Sequence, residues 1–327
     1  MSTNPNGGSV SEKQVAVAIA CICGPAHLAR CLDALGAQQG SPPFDIVVRY
    51  DPALAGMDDV IAQYPHVQFG CAPHERTPLE LAAAALRACD VDVVLLTEDH
   101  CVPRADWVRT MVQAVQPGRG AVGGRIEVHR SASSVDWAFY FVDFFRYAGP
   151  VDEGPSPTLS VCNVAYDRRQ LAAVSDLWHV QFNEPEVHDA LGAKFGDLWL
   201  HPASEVVMHR TIAFLPCLRE RYAFGRIFGY KRIEKESFMR RCVRAAVAPA
   251  LPALLLGRMT AKVLRSRALA RRFAGSLGPI LALVFCWSWG EWIGYVTGRP
   301  PRTLTLAADL SAPEFQRSLP GNSNRLP

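Results

Sequence analysis

The segment Val91–Pro103, V-D-V-V-L-L-T-E-D-H-C-V-P, constrains the fold more than any other part of the chain. A short apolar run that stops abruptly at Glu98, Asp99 and His100 reads as a buried strand of an α/β sheet. Ligands of open α/β sheets bind beyond the carboxyl ends of the strands. Two acids and an imidazole are therefore delivered to the edge where chemistry is expected. Three adjacent metal-capable side chains at a strand tip suit a divalent cation beside a phosphate. The same residues also fit a solvated acidic turn.

The preceding residues alternate strand and helix. Val15–Cys23 is an apolar run, and Leu28, Cys31, Leu32 and Leu35 follow at helical spacing. Phe44–Val48 and Val67–Gly70 read as further strands. Thr77-Pro78-Leu79-Glu80 is a capping box with proline at the first helical position, opening an Ala-rich helix to about Cys89. A helix over about Asp106–Val115 follows the Glu-Asp-His strand. The alternation predicts an α/β, doubly wound, mainly parallel sheet flanked by helices. No G-x-G-x-x-G follows the first strand, so a dinucleotide cofactor is not indicated.

At 327 residues the chain can form one large domain or two modest ones with a sizeable core. Its ten cysteines form no C-x-x-C pair, and no signal peptide is visible at the polar N-terminus. Reduced thiols in a cytosolic compartment, and no zinc site, are the simplest expectation.

Charge is unevenly distributed. Residues 1–218 carry 15 Lys/Arg against 25 Asp/Glu, and residues 219–272 carry 15 against 3, so an acidic body is followed by a basic band. Such a band suits nucleic acid or an anionic membrane. Its flanks favour the membrane: Ala245–Leu256 is almost wholly apolar, and Ala274–Val296 is apolar except for Glu291 and long enough to span a bilayer. Trp287, Trp289, Trp292 and Tyr295 are of the interfacial aromatic type. No nucleic-acid motif is present. Ala245–Leu256 is too short to span and reads as re-entrant, interfacial or core. Glu291 argues for a buried helix of a soluble domain as the alternative for the second stretch. Arg265, Arg267, Arg271 and Arg272 precede Ala274–Val296 closely, and only Arg299 and Arg302 follow it closely. This places the acidic body on the cytosolic face of the inner membrane. The expected organisation is a disordered N-terminus (1–13), an α/β catalytic domain (14–235), basic and hydrophobic membrane-associating helices (236–300) and a flexible tail (301–327).

The order of these pieces resembles a family-2 glycosyltransferase of the GT-A fold over roughly residues 14–230. Val15–Cys23, Asp45-Ile46-Val47-Val48 and Glu98-Asp99-His100-Cys101-Val102-Pro103 with Trp107 stand in the family's order. Ala121-Val122-Gly123-Gly124 resembles its post-motif strand, and Val161-Cys162-Asn163-Val164-Ala165-Tyr166 its G-x-N-x-A-[FY] segment. Phe182–Leu191 occupies the place of its acidic catalytic helix, and Pro202–His209 matches its closing P-x-x-x-V-x-H. The departures are specific. Arg49-Tyr50 replaces the acidic pair after the second strand, leaving Asp51 as the nearest acid. The opening strand ends Ala20-Cys21-Ile22-Cys23, and the metal motif is Glu-Asp-His rather than Asp-x-Asp.

The resemblance implies transfer of a sugar from a nucleotide-sugar donor to a lipid, lipid-linked or glycan acceptor, with inversion. A divalent cation, Mn2+ or Mg2+, would act as a Lewis acid on the departing diphosphate. The implied metal ligands are Asp99, His100 and His209. The implied donor contacts are Ala20, Cys21, Asp51, Glu98, Asp99 and Arg226, with Arg219 and Arg221 as further candidates for the diphosphate. The general base is sought in Asn183–Asp189. Pro185 in a first helical turn leaves Glu184 near the cap, pointing into the pocket, with Glu186 and His188 as second choices. An ordinary acidic helix start accounts for the same acids. Trp137–Tyr147 holds seven aromatics in eleven residues, which fits core packing or an acceptor groove. Two other functions fit the same fold: a catalytically silent nucleotide-sugar-binding or membrane assembly protein, and a nucleotidyltransferase. The latter usually carries a Gly-rich basic loop that Cys23–His27 does not provide.

Overall fold

A computed structural model describes residues 13–72, 77–234 and 236–299. The tail expected over 301–327, and all but the last residue of the N-terminal segment, lie outside the described residues.

Four strands, β1 (Val15–Cys21), β2 (Phe44–Tyr50), β3 (Gln68–Cys71) and β4 (Val93–Glu98), run parallel in the order β3-β2-β1-β4. Parallel neighbours need crossovers, and α1 (Pro25–Gly36), α2 (Met57–Gln63) and α3 (Pro78–Arg87) supply them. Leu28, Cys31, Leu32 and Leu35 form the buried face of α1. Thr77 and Glu80 close the capping box in both directions at the start of α3. β1 is buried over its whole length, as expected of a strand covered on both faces.

The second half of the sheet is mixed. β5 (Cys101–Pro103), β6 (Arg119–Val128), β7 (Gly154–Pro155), β8 (Val164–Asp167) and β9 (Asp197–Met208) complete the order β3-β2-β1-β4-β8-β6-β9-β5, with β7 on β9. β8 is antiparallel to both β4 and β6, whereas β6 and β9 are parallel. Asn163, fully buried, ties this half together. Its Nδ2 donates to Arg125 O at 2.8 Å and Ser204 O at 2.9 Å, and its Oδ1 accepts from Trp107 Nε1 at 2.7 Å. Trp107 opens α4 (Trp107–Ala114).

The aromatic stretch is core. It forms α5 (Ser134–Phe144), whose Tyr140 hydroxyl donates to Ile126 O of β6 at 2.7 Å. After α6 (Arg168–Ala172) and α7 (Glu184–Phe195) come five C-terminal helices: α8 (Phe214–Ile233), α9 (Phe238–Val247), α10 (Leu251–Val263), α11 (Arg267–Gly275) and α12 (Leu277–Thr297). Phe273 of α11 meets Phe141 of α5 edge-on at 5.3 Å, joining these helices to the sheet layer.

α8 and α12 pack backbone to backbone. Each carries a G-x-x-x-G pair, Gly225/Gly229 and Gly290/Gly294, which sequence reading passed over. A Cβ on Gly290 would sit 2.1 Å from Tyr222 O, and one on Gly225 2.2 Å from Trp287 O. Only glycine permits this approach, the same device that brings small-residue helix pairs together in membranes. The packing runs across the boundary expected at residue 235, since α8 lies before it and α12 after it. Glu291 faces this interface. Trp287 Nε1 donates to its Oε2 at 3.0 Å, the Tyr295 hydroxyl donates to its Oε1, and Arg232 lies 3.5 Å away.

Candidate active site

The site begins at paired strand ends. Ala20 of β1 lies opposite Glu98 of β4, and Cys21 opposite Tyr50 of β2. The chain leaves β1 through Gly24, whose φ of +97° is a conformation L side chains rarely adopt. This turn aims the N–H groups of Cys23 and Gly24 at Asp99 Oδ2, at 2.8 and 2.9 Å, while the Cys21 thiol donates to the same oxygen at 3.3 Å. One oxygen of Asp99 is thus used in holding the turn. The other, Oδ1, is buried without a hydrogen-bond partner, as is Nε2 of His100. Burial alone would raise the Asp99 pKa. The His100 ring, its Nδ1 3.8 Å from Oδ1, with help from His27 and the Cys23 N–H, holds it below the usual carboxylate value.

Asp99, His100 and Cys23 place ligand atoms within 4.8 Å of one another, and so do His100, Cys101 and Cys162. Neither group includes His209. Its N–H donates to His100 O at 2.8 Å, but its ring stacks on His129 at 5.1 Å, in the field of Arg30 and His27. Burial, with the charge of Arg30 and the neighbouring imidazoles, pushes its pKa down to about 4.

Glu98 is turned toward the loop before β8. Cys162 Sγ donates to Glu98 Oε2 at 3.4 Å. The next N–H in that loop, Val161, donates to Glu184 Oε2 at 2.9 Å. Burial raises the Glu184 pKa to about 7. The Val161 hydrogen bond opposes the shift, and the negative charge of Glu98 adds to it. Glu184 opens α7 as the sequence predicts, with Pro185 beside it in the first turn.

The other two base candidates are placed elsewhere. Glu186 is exposed. His188 is buried against Tyr166, its Nε2 2.8 Å from the phenol oxygen, and burial lowers its pKa to about 4. Among the donor candidates, Ala20 and Cys21 are fully buried at the tip of β1, and Asp51 accepts the Ala53 N–H at 2.8 Å in the turn after β2. Arg226 belongs to the α8–α12 interface, where Gly290 and Gly294 press on its backbone. Arg221 is locked between Asp143 and Glu220. Arg219 is exposed on α8.

The cation at the site is Arg210, which sequence reading missed. Burial works against its charge, but Cys23, Glu220 and Glu98 raise its pKa. Its guanidinium lies over Phe139 at 5.1 Å and 3.9 Å from Glu220. The available signal was its place directly after His209 in the closing V-x-H pattern.

No family profile matches the sequence, and no curated protein does. Solved structures do. The chain is similar to the mannosyltransferase PcManGT from Pyrobaculum calidifontis, in complex with GDP-Man and Mn2+. Identity is 14%, the TM-score is 0.54, and the match covers 86% of this chain and 88% of that one. It is also similar to S. aureus TarS 1–349 in complex with UDP-GlcNAc, at 10% identity and TM-score 0.50, over 85% of this chain and 92% of that one. The chain has a GT-A fold. In this GT-A chain the tips of β1 and β4, the loop before β8 and the first turn of α7 stand together at one edge of the sheet.

Proposed function

We propose that this chain is a family-2 type glycosyltransferase. It moves a sugar from a nucleotide-sugar donor to a lipid, lipid-linked or glycan acceptor, with inversion, at the cytosolic face of the inner membrane. The observation that carries this reading is Glu184, a half-buried carboxyl with its pKa pushed up to about 7, tied through the Val161–Cys162 loop to Glu98 of the strand-tip motif within a GT-A fold. A general base works best when its pKa lies near the working pH.

The residues present fit a divalent cation. Asp99 Oδ1 is buried without a hydrogen-bond partner, and His100 Nδ1 lies 3.8 Å from it and 3.8 Å from the thiol of Cys23. Asp99 and His100 would hold the ion, and an imidazole in the set favours Mn2+ over Mg2+. A bound cation supplies charge neutralisation for a departing diphosphate. Arg210 adds fixed positive charge at the same edge. Glu184 takes the proton of the acceptor hydroxyl at its carboxylate, and the Val161 N–H holds that carboxylate in place.

Membrane association rests on helix faces. Phe238–Val263 and Leu277–Thr297 are long and apolar enough to cross a membrane. Yet α9 turns its apolar side outward. Phe238 and Met239 are each 76% exposed and Val247 60%, while Arg241 donates to Tyr295 O and Arg244 pairs with Glu236 on the inner side. A helix of a water-soluble protein does the reverse; one lying in a bilayer interface does this. α12 likewise exposes Phe285 and Trp289. Its other face is bound to α8, which carries exposed Arg219, Lys231 and Arg232. Those charges oppose a full span for the pair, so an in-plane, monotopic attachment is the form we propose.

The test is donor turnover by the full chain in lipid nanodiscs, with release of nucleoside diphosphate followed with and without Mn2+. Turnover that Glu184→Gln abolishes supports the reading. A second reading is a silent donor-binding protein, favoured by Arg49-Tyr50 at the tip of β2 and by the commitment of Asp99 Oδ2 to the β1 turn. Donor binding with no turnover on any acceptor would establish it.

A further inference from the structure

Two buried thiols stand beside the strand-tip motif, and the reaction proposed above uses neither. Cys101 and Cys162 are 61 residues apart in sequence (162 − 101), yet with His100 they place ligand atoms within 4.8 Å of one another. Glu98 extends the group. Its Oε2 lies 3.4 Å from Cys162 Sγ and 3.5 Å from His100 Nδ1. A tetrahedral ion with ligand bonds of about 2.0–2.3 Å sets its ligands about 3.3–3.8 Å apart along each edge. Both separations fall in that range, so these side chains need little movement to close on an ion.

The backbone around the thiols is fixed without any ion. Thr97 Oγ1 donates to Cys162 O at 2.8 Å, and the Cys162 N–H donates to Ser160 Oγ at 3.3 Å. Cys101 is held in β5 by its pairing with Met208 of β9. His100, Cys101 and Cys162 are buried, whereas the Glu98 side chain is 13% exposed, so an ion enters past Glu98.

We infer that Glu98, His100, Cys101 and Cys162 form a thiolate site for Zn2+, overlapping the Asp99–His100 seat but unlike it in chemistry. Thiolates select soft or borderline cations such as Zn2+, whereas Mn2+ suits carboxylate and water. Binding releases one proton from each thiol. The lack of a C-x-x-C pair spoke against zinc in the sequence, but these ligands are gathered by strand pairing, not by local spacing. His100 belongs to both seats. Its Nδ1 lies 3.5 Å from Glu98 Oε2 and 3.8 Å from Asp99 Oδ1, and one nitrogen ligates one ion. Zn2+ therefore withdraws His100 and Glu98 from the donor site and switches it off. That inhibitory role rests on the glycosyltransferase reading; the binding itself does not.

The experiment titrates the reduced full chain in neutral nanodiscs with Co2+, which takes tetrahedral zinc sites and shows thiolate bonds as near-ultraviolet charge-transfer absorption. Cys71→Ser with Cys242→Ser first removes exposed thiols from the signal. The absorption should appear with equimolar Co2+, and Zn2+ should bleach it. Cys162→Ser and Cys101→Ser should each weaken binding at least as much as the roughly 10–100-fold that a lost supporting partner costs. Cys23→Ser, in the other group, should leave the absorption intact. Thermal stabilisation by nucleoside diphosphate in Mn2+ is the separate readout of the donor site. Zn2+ should abolish it, and in Cys162→Ser the stabilisation should survive the same Zn2+. No thiolate absorption in the protein with its buried thiols intact, whatever the fate of the buried-site variants, would overturn the inference. So would absorption that depends on Cys23 and not on Cys162. Thiolate absorption as expected with no nucleotide binding would leave the zinc site standing and remove the glycosyltransferase reading instead.

Discussion

Glu98 and Glu184 are joined through one loop: the thiol of Cys162 donates to Glu98 Oε2 at 3.4 Å, and the N–H of Val161 donates to Glu184 Oε2 at 2.9 Å. The strand-tip acid and the helix-start acid are 86 residues apart in sequence (184 − 98), yet two adjacent residues set both. The loop sits there because β8 pairs with β4.

Glu184→Gln keeps the shape of the side chain and removes its basicity. Turnover should fall by about two to four orders of magnitude, the usual worth of a general base, while donor binding survives. In the wild-type enzyme kcat/KM should rise with pH through an acid limb near 7, where Glu184 loses its proton. A steady-state pH profile of the two proteins checks both statements. Near-normal turnover in the variant would move the role to another group.

The same group predicts a stability trend. Its folded pKa of about 7 lies above the ordinary carboxyl value, so the folded state binds the proton more tightly. Stability contributed by Glu184 is therefore present at low pH and is lost as pH rises from about 4.5 to about 7. At pH 8 Glu184→Gln should melt higher than wild type, and at pH 4 the difference should vanish. Melting curves at the two pH values read this directly.

Asp99 and His100 should respond differently to truncation. Asp99→Ala leaves the buried N–H of Gly24 without an acceptor, at a cost of about 1–3 kcal/mol, and the half-buried N–H of Cys23 as well, at a smaller one. It should lower Tm by several degrees and also weaken metal-dependent nucleotide binding. His100→Ala should remove the metal dependence with a smaller loss of Tm. Equal behaviour of the two variants in melting and in Mn2+ titration would contradict this division.

The glycines of α12 offer a matched pair. Gly290→Ala places a Cβ 2.1 Å from Tyr222 O, whereas Gly278→Ala meets nothing within 4 Å. The first should destabilise by about 1–3 kcal/mol through overpacking. The second should change stability little, because Gly278 stands in the first helical turn directly before Pro279, where the helix-propensity gain of alanine is offset by the restriction proline places on the residue before it. Denaturant unfolding in a fixed detergent measures both.

The outward face of α9 predicts membrane behaviour. Met239→Glu with Val247→Glu puts charge where the apolar side is exposed. Flotation with liposomes should show loss of binding, or binding that salt alone reverses. Unchanged flotation at high salt would remove α9 from the membrane contact.

Local signals read true in the sequence. The capping box of Thr77 and Glu80, the buried stripe of α1 and the strand ending at Glu98 depend on neighbours a few residues apart. The orientation within Glu98-Asp99-His100 did not show. Successive side chains at a strand end point to opposite sides, and Asp99 turns toward the β1 turn, whose N–H donor at Cys23 is 76 residues away. The sequence alone holds no record of that distance. Arg226 looked like a phosphate ligand by composition, and its place against α12 follows from the two glycine pairs, a period-four signal hidden in a basic helix. Glu291 looked costly in an apolar helix because its partners Trp287, Tyr295 and Arg232 could be paired with it only once α8 and α12 were seen together.

The most direct measurement is a thermal-shift titration of the full chain with nucleoside diphosphates, in Mn2+, in Mg2+ and in chelator. Specific binding stabilises the fold by about 2.7 kcal/mol at a hundred-fold excess over Kd. The account predicts that at least one nucleoside diphosphate raises Tm in Mn2+, that chelator removes most of the rise, and that His100→Ala reduces it to the level seen in chelator. No shift with any nucleoside diphosphate in either metal would contradict it.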